Sequence, residues 1–334
     1  MKSKYYFLSD LKENIRLIGR AYFCDGGLAC DHSASGFELC ARIDGELLLT
    51  ASSSGDTYYS VFVDGERIDK RFHVDSSMQT VRIAEFNDGK AHKVKVLKQS
   101  ESAWSSSVIV SLELDGEILE APAERGLLFE FLGDSLTTGY GNLGVKGEEN
   151  EQGGNTPHKE DATKTYAFLT AEEFDADCTI VAWSGVGLDT GWTHALFTDY
   201  YKAASFHRDT VKQYEFGRAP DLLVIHLGAN DSTNDKTQRE SFVKKGIDLI
   251  NYIFDGYRRR MPVIWLYDPD EGVPSYIADV LEHFGGESAE FFALELEWQS
   301  TDAYWGASGH PSALAHEYHA ELLIDLIRKK NILK

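Results

Sequence analysis

The chain has 334 residues, 43% of them hydrophobic and 12% aromatic, which is typical of a globular protein long enough for two domains. Its 33 lysines and arginines face 54 aspartates and glutamates, a net charge of -21. Because that charge repels phosphate backbones and anionic membrane surfaces, we expect neither nucleic acid nor membrane as a partner, whereas neutral sugars and small esters are not disfavoured.

The N-terminus and the cysteines bear on location. The first 17 residues interleave charged with apolar side chains, and no window approaches the ~18 apolar residues of a membrane span. Cys24, Cys30, Cys40 and Cys178 form no CxxC pair and have no metal-ligand spacing, which indicates reduced structural thiols. We therefore expect a cytoplasmic protein, with a secreted chain that has lost its signal peptide as the alternative.

The first third of the chain is predicted to be an antiparallel β-domain. Apolar and polar residues alternate over residues 37–43 and 108–114, the pattern of half-buried strands. Asp-Gly pairs, which suit tight turns, stand at 44–45, 64–65, 88–89 and 115–116. Several such strands without a helical period predict a β-sandwich of jelly-roll type over residues 1–118.

The pattern changes after residues 119–125, the predicted linker around Pro122. Apolar runs typical of buried strands lie at 127–132, 179–183, 222–227, 263–267 and 291–296. Helices are predicted at 166–174, 239–257, 276–284 and 311–329, and a polar surface loop at 146–163. The alternation predicts a parallel sheet flanked by helices over residues 126–334, with functional residues at the carboxyl ends of its strands.

The first of these strands ends in Gly133-Asp134-Ser135. A serine directly after a buried strand, in a glycine-flanked turn, is placed for nucleophilic attack at the sheet edge. Thr137 stands where a GxSxG elbow has its second glycine, so the motif is a different one. A helix N-cap is the alternative role for Ser135.

Two further strand ends carry groups that can donate hydrogen bonds. Asn230, in Gly228-Ala229-Asn230-Asp231, has a side-chain amide that can donate to a developing oxyanion. Gly185 follows the second strand of the sheet and offers a main-chain N–H without side-chain bulk. Asn and Gly are also common in plain turns, which is the alternative for both.

Near the C-terminus, His310 precedes Pro311, which restricts His310 to extended backbone angles and suits the first position of the last helix. A histidine fixed in this way is suited to act as a general base. His316 and His319 do not form an HExxH zinc motif, and they are predicted to pack or cap. His226, inside a predicted strand, is expected to be a core residue.

Taken together, the Gly-Asp-Ser, Gly185, Gly-Ala-Asn-Asp and His-Pro blocks resemble those of the SGNH, or GDSL, hydrolases, esterases with a flavodoxin-like sheet. A jelly roll in front of such a domain is similar to carbohydrate esterase family 2, whose members deacetylate sugars and hemicellulose oligosaccharides. The resemblance implies Ser135 as nucleophile and His310 as base. It also implies an oxyanion hole of the Ser135 and Gly185 N–H groups and the Asn230 side chain, and no cofactor.

The resemblance fails just before His310. The family commonly has an aspartate two or three residues ahead of this histidine, where this chain has Ser308 and Ala307. The nearest upstream carboxylate is Asp302. We therefore expect a Ser-His dyad whose ring is oriented by a backbone carbonyl or a hydroxyl.

The predicted function is that of a metal-free serine esterase that removes O-acetyl groups from acetylated manno-, gluco- or xylo-oligosaccharides through an acetyl-enzyme. The predicted substrate contacts are Trp305, Tyr304, Tyr140, Trp192 and Asp134. The alternatives are a lipase or thioesterase of the same fold, or a non-catalytic carbohydrate-binding protein, which the missing acid favours. The oligomeric state is not predicted.

Overall fold

The computed structural model describes residues 3–68, 71–148, 156–205, 212–231, 236–269 and 272–333. The chain divides into two compact units, Met1–Arg125 with Ala204–Lys212, and Gly126–Ala203 with Gln213–Lys334. The predicted linker, residues 119–125, belongs to the first unit. No sequence pattern indicated that Ala204–Lys212 would group with the first unit.

The first unit is the predicted antiparallel β-domain. Its strands are β1 (Lys4–Phe7), β2 (Ile15–Ile18), β3 (Tyr22–Cys24), β4 (Gly27–Cys30), β5 (Gly36–Ser53), β6 (Thr57–Val63), β7 (Glu66–Arg67), β8 (Phe72–Val74), β9 (Gln79–Phe86), β10 (Ala91–Lys98) and β11 (Ser107–Ile118). They form one antiparallel sheet in which β5 changes partners along its length. Its first half pairs with β2 and β10, and its second half with β9 and β11. Alternate β5 residues, from Phe37 to Ala51, fill the core.

Two of the four predicted Asp-Gly turns are wrong. The pair at 64–65 lies between β6 and β7 and the pair at 88–89 between β9 and β10, as expected of turns. Gly45 and Gly116, with φ of 120° and 155°, instead lie inside the continuous strands β5 and β11. The β11 register shifts between Leu114 and Gly116, and a Cβ on Gly116 would lie 1.9 Å from the Arg42 carbonyl oxygen. The glycine therefore marks a bulge where two backbones come close, rather than a chain reversal.

The second unit contains the predicted parallel sheet. Its strands are β12 (Leu127–Gly133), β13 (Ala176–Ala182), β16 (Leu222–His226), β17 (Val263–Tyr267) and β18 (Phe291–Glu295). The order in the sheet is β13-β12-β16-β17-β18, and every pairing is parallel. Two short strands outside this sheet, β14 (Ala203–Ser205) and β15 (Lys212–Gln213), lie at the ends of the segment that groups with the first unit, and they pair with each other. The sheet order reverses at β12, so a crevice is expected beyond its carboxyl end.

The helices of this unit are α1 (Ser135–Thr138), α2 (Tyr166–Glu173), α3 (Phe197–Tyr201), α4 (Lys236–Tyr257), α5 (Pro274–His283) and α6 (Ala313–Lys330). α2 packs against α6, and α4 against α5. Among the described residues, no helix is both long and apolar enough to cross a membrane.

Two sequence expectations are wrong in detail. α6 begins at Ala313 rather than at Pro311, because the Ser312 side chain caps it by accepting the Ala315 N–H. The predicted surface loop, of which residues 149–155 lie outside the described residues, is buried near its end. There Asp161 is fully buried, and its main chain exchanges two hydrogen bonds with the Asn142 amide, of 2.9 and 3.0 Å. A polar sequence can be buried when its main chain is paired in this way.

Candidate active site

Ser135 is the first residue of α1, directly after β12 at the point where the sheet order reverses. The turn between strand and helix is tight, since a Cβ on Gly133 would lie 2.0 Å from Thr137 Oγ1. Asp134, not Ser135, caps α1, its Oδ1 accepting the Leu136 N–H at 3.0 Å. The alternative role of Ser135 as an N-cap is therefore wrong, and its hydroxyl remains available for chemistry.

The His310 ring joins Ser135 to a main-chain carbonyl. His310 Nε2 lies 2.9 Å from Ser135 Oγ, and His310 Nδ1 lies 2.9 Å from the Ser308 carbonyl oxygen. A carbonyl oxygen only accepts, so Nδ1 carries the proton and Nε2 accepts the Ser135 hydroxyl. This tautomer leaves Nε2 able to take the serine proton.

Backbone geometry aims the Ser308 carbonyl. Ser308 has φ 57° and ψ 32°, a left-handed conformation that costs a non-glycine residue about 1–2 kcal/mol. The Gly306 N–H donates to the His310 carbonyl oxygen at 2.7 Å, and the Ala307 N–H to that of Gly141 at 3.0 Å. His310 itself is extended, with φ -97° and ψ 165°, as the following proline requires. These main-chain bonds hold the turn in its strained form.

Asp302 has a different partner. Its carboxylate lies 2.6 Å from Lys146 Nζ, and its side chain is 80% exposed. Both ring nitrogens of His310 already have partners, Ser308 O and Ser135 Oγ. In the part of the chain that the structure describes, a carbonyl therefore occupies the place that an aspartate takes in a Ser-His-Asp triad.

We expect Ser308→Ala and Asp302→Asn each to keep kcat within about fivefold of wild type, no more than the effect of losing one neutral hydrogen bond at the site. Ser308 Oγ is buried and has no hydrogen-bond partner among the described residues, and Asp302 is engaged with Lys146. Steady-state kinetics at fixed pH, with folding checked by circular dichroism, measures both. A loss of about a thousandfold in folded Asp302→Asn would place a carboxylate on His310 and contradict the dyad.

Burial sets the protonation of the site. Desolvation lowers the pKa of His310 below its ordinary 6.5, against the opposing effect of the Ser308 hydrogen bond. Burial also raises the pKa of Asp134 to about 6, although nearby His226 opposes the shift. Burial therefore moves both groups toward their neutral forms, which lowers the pKa of His310 and raises that of Asp134.

The acidic limb of the kcat/KM profile is expected below pH 6.5. His310 must be neutral to accept a proton, and because burial lowers its pKa, the neutral form persists to lower pH than for a free histidine. Activity is then lost as the pH falls through that lowered pKa. Asp134→Asn is the control: the limb should persist without the Asp134 carboxyl. A limb above pH 6.5, or one that disappears in Asp134→Asn, would contradict the assignment to His310.

Two main-chain N–H groups are available at the carboxyl edge. Gly185 follows β13 with φ 80°, and neither its N–H nor that of Ser135 has an acceptor among the described residues. The Thr138 and Ser184 hydroxyls, 3.4 Å apart, link α1 to the residue before Gly185. These N–H groups are candidate donors to an oxyanion.

Asn230 is engaged elsewhere. Its Nδ2 donates to Asp134 Oδ2 at 3.0 Å and to the Val186 carbonyl oxygen at 3.1 Å. Both amide hydrogens are therefore in use, and donation to an oxyanion would require one of them to be shared. In this structure Asn230 ties the end of β16 to the turns after β12 and β13. The sequence indicated a donor but could not show these two competing acceptors.

The predicted aromatic residues differ in their positions. The Tyr140 ring lies 4.5 Å from the His310 ring. Trp192 is 85% exposed, and its main-chain N–H donates to the Gly185 carbonyl oxygen at 2.8 Å. Trp305 forms a β-bridge with Pro311, next to His310, and stacks on Trp298 at 4.8 Å. Tyr304 packs edge-on against Tyr318, with ring centroids 6.0 Å apart. Trp298 was not predicted because it lies outside every motif.

Asp134 does not fit its predicted role in substrate binding. It is fully buried, and its carboxylate accepts hydrogen bonds from Leu136 N and Asn230 Nδ2. His226, His316 and His319 are also buried. Within the described ranges, no three His, Cys, Asp or Glu side chains are grouped so that they could hold a metal ion.

A serine hydroxyl paired with a histidine, beside free N–H groups at the edge of a parallel sheet, places the chain in the class of carboxylic ester hydrolases. Residues 17–122 match the model for the N-terminal domain of carbohydrate esterase 2, and residues 129–323 that for the GDSL-like lipase/acylhydrolases. The chain belongs to the GDSL-like lipase/acylhydrolase family, with the N-terminal domain of carbohydrate esterase family 2.

Named relatives agree with this family. The cellulase/esterase CelE of Acetivibrio thermocellus is 28% identical over 326 residues, which cover 93% of this chain and 39% of CelE. The chain therefore spans about two fifths of that relative. An acetylxylan esterase/glucomannan deacetylase of Cellvibrio japonicus is 26% identical over 253 residues, covering 73% of this chain and 68% of that protein.

A solved structure is similar over nearly the whole chain. It is a family two carbohydrate esterase from Clostridium thermocellum in complex with cellohexaose, 26% identical, with a TM-score of 0.85. The match covers 95% of this chain and 99% of that one. Both units of the fold are therefore shared with this esterase.

Proposed function

We propose that the protein is a serine esterase that removes O-acetyl groups from acetylated manno-, gluco- or xylo-oligosaccharides derived from hemicellulose. The observation that carries the proposal is the Ser135–His310 contact of 2.9 Å, with Nδ1 fixed by the Ser308 carbonyl. The acetylxylan esterase and glucomannan deacetylase names of relatives support the substrate class.

In the first half of the reaction, Ser135 Oγ attacks the acetyl carbonyl carbon and its proton passes to His310 Nε2. The carbonyl oxygen gains negative charge, and the N–H groups of Ser135 and Gly185 are the proposed donors to it. As the tetrahedral intermediate collapses, His310 returns the proton to the departing sugar oxygen. The products are a free sugar hydroxyl and an acetyl ester on Ser135.

In the second half, water attacks the acetyl group on Ser135 while His310 accepts the water proton. The proton then returns to Ser135 Oγ as acetate leaves. His310 carries a positive charge in both halves, and the Ser308 carbonyl stabilises that charge as a dipole rather than as a full negative charge. The dyad is expected to turn over more slowly than an otherwise equal triad.

Exposed and half-buried aromatic residues support a sugar as the leaving group. Trp192 and Tyr140 lie beside Gly185 and His310, and their flat faces suit the apolar faces of sugar rings. The net charge of -21 favours a neutral oligosaccharide over an anionic one. Trp305 and Tyr304, before His310, are the further candidate contacts.

The test is a mass-spectrometric deacetylation assay on acetylated manno- and xylo-oligosaccharides side by side, with Ser135→Ala as the blank. We expect stepwise loss of acetyl groups from at least one series. Faster turnover of long acyl esters or thioesters than of acetates would indicate a lipase or thioesterase. Sugar retention in affinity electrophoresis with no loss of acetyl groups would indicate a binding protein. This is the second candidate because, among the described residues, His310 pairs with a carbonyl and not with a carboxylate.

Metal chelation is expected to leave the rate unchanged, because the proposed nucleophile, base and donors are all groups of the chain itself. The measurement is kcat on p-nitrophenyl acetate before and after dialysis against EDTA. A loss of activity that zinc restores would contradict the metal-free mechanism.

A further inference from the structure

The carboxylate of Asp231 binds three consecutive main-chain N–H groups of the loop after β13. Oδ2 accepts the Leu188 N–H at 2.9 Å, and Oδ1 accepts those of Asp189 at 2.6 Å and Thr190 at 2.8 Å. Successive N–H groups that converge on one anion form a nest, and bonds to a charged acceptor are about twice as strong as neutral ones. The loop is thus wound around the Asp231 side chain.

The loop has little freedom around that carboxylate. A Cβ on Gly187 would lie 1.5 Å from the Thr190 carbonyl oxygen, and one on Gly191 would lie 2.7 Å from the Gly187 nitrogen. The main chains at the two ends of the turn therefore approach so closely that only glycine fits at Gly187 and Gly191. Three N–H groups pointing inward without an acceptor would be costly, so the wound form depends on Asp231.

The same loop carries the candidate site groups. Gly185 lies at its start, and its carbonyl oxygen accepts the Trp192 N–H at 2.8 Å, which closes the loop on itself. Asn230, the neighbour of Asp231, donates to the Val186 carbonyl oxygen at 3.1 Å. Two adjacent residues after β16 thus hold both halves of residues 185–192.

We infer that Asp231 is a positioning residue of the esterase reaction, which holds residues 185–192 so that the Gly185 N–H remains available as a donor after β13 and Trp192 stays bound to Gly185 through its main chain. The inference rests on the proposed function for its kinetic readout. Asp231 has no part in proton transfer. It acts through the loop, on the donor to the oxyanion and on the aromatic contact.

Asp231→Asn is the direct variant, because an asparagine of the same shape presents an N–H donor to at least one of the three loop N–H groups. With p-nitrophenyl acetate we expect kcat to fall by about a hundredfold, the size of a displaced oxyanion donor, and KM to stay within about twofold. The position of the acidic limb should not change, since the His310 environment is untouched. With an acetylated oligosaccharide, KM should also rise through Trp192.

Asp221→Asn is the matched control. Asp221 also accepts a main-chain N–H, that of Leu128 at 3.0 Å, and it lies at the amino end of β16, whereas Asp231 follows the carboxyl end. Asp221→Asn should destabilise the parallel sheet, to which Asp231 is also attached, without changing kcat. Hydrogen exchange followed by mass spectrometry should show faster exchange of amides 188–190 in Asp231→Asn only.

If Asp231→Asn does not fold, Gly191→Ala strains the same loop from its other end, and it should give the same fall in kcat with little change in KM. Wild-type kcat in either folded variant would overturn the inference. An equal loss in Asp221→Asn, or a displaced acidic limb, would also overturn it, since both indicate a general structural effect. Failure of the proposed function is distinct, because it would appear as absent turnover in the wild-type protein.

Discussion

Replacing Ser135 by alanine is expected to lower kcat on p-nitrophenyl acetate by about four orders of magnitude or more. Ser135 Oγ is the hydroxyl that contacts His310 Nε2, at 2.9 Å, and Ser135 follows β12, the strand at which the sheet order reverses. Without it, no acetyl-enzyme can form at this position, and the residual rate reflects only the N–H donors and substrate binding. The measurement is a steady-state assay on freshly purified protein, with the fold checked by circular dichroism.

Ser184→Ala is the control for this variant. Ser184 also follows a strand of the parallel sheet, and its hydroxyl lies 3.4 Å from that of Thr138. Removing it deletes one neighbouring hydroxyl and leaves the dyad intact, so kcat should change by less than about tenfold. If Ser135→Ala keeps more than about a tenth of wild-type kcat, a change of only ~1.4 kcal/mol in barrier, Ser135 is not the nucleophile.

Replacing His310 by alanine is expected to be about as severe. The ring accepts the Ser135 proton and returns it to the leaving sugar oxygen, so its loss affects both halves of the reaction. The double variant Ser135→Ala/His310→Ala should be no slower than either single variant, because two residues that act as one unit give non-additive losses.

The control for His310→Ala is a buried histidine outside the dyad. His319 is buried, and its ring contacts that of Trp298, with centroids 5.6 Å apart. His319→Gln should lower the free energy of unfolding, because it replaces a buried ring, and it should leave kcat close to that of the wild type. A double variant whose loss equals the product of the two single losses would show that Ser135 and His310 act independently, which would contradict the dyad.

Much of the fold could be predicted because apolar runs report burial directly. Each of the five predicted strands of the parallel sheet overlaps an observed one, since a strand buried on both faces needs a continuous apolar run. The Asp-Gly pairs at 44–45 and 115–116 predict turns but lie inside long strands. Glycine can adopt positive φ both in a tight turn and in a β-bulge, so the pair alone does not distinguish them. Local sequence cannot tell whether the chain reverses or continues, since the pairing partners decide it.

In the candidate site, too, some features could be predicted from local sequence and others could not. The residues at strand ends, such as Ser135 and Gly185, could be placed on one edge because parallel strands share their direction. The left-handed Ser308, which aims its carbonyl at His310, carries no marker in the sequence. The two bonds of Asn230 and the three of Asp231 depend on loops that come from a different strand. Contacts of this kind depend on tertiary geometry and not on local pattern.

The most direct test of the Ser-His account is to find the acetyl group on the enzyme. Wild-type protein is mixed with excess p-nitrophenyl acetate, quenched in acid within the first turnovers, digested, and analysed by mass spectrometry. We predict one acetyl group per chain on the peptide that contains Ser135, localised to that serine and absent in Ser135→Ala. Rapid turnover with no acetylated peptide, or an acetyl group on another residue that disappears at the rate of turnover, would contradict Ser135 as the nucleophile.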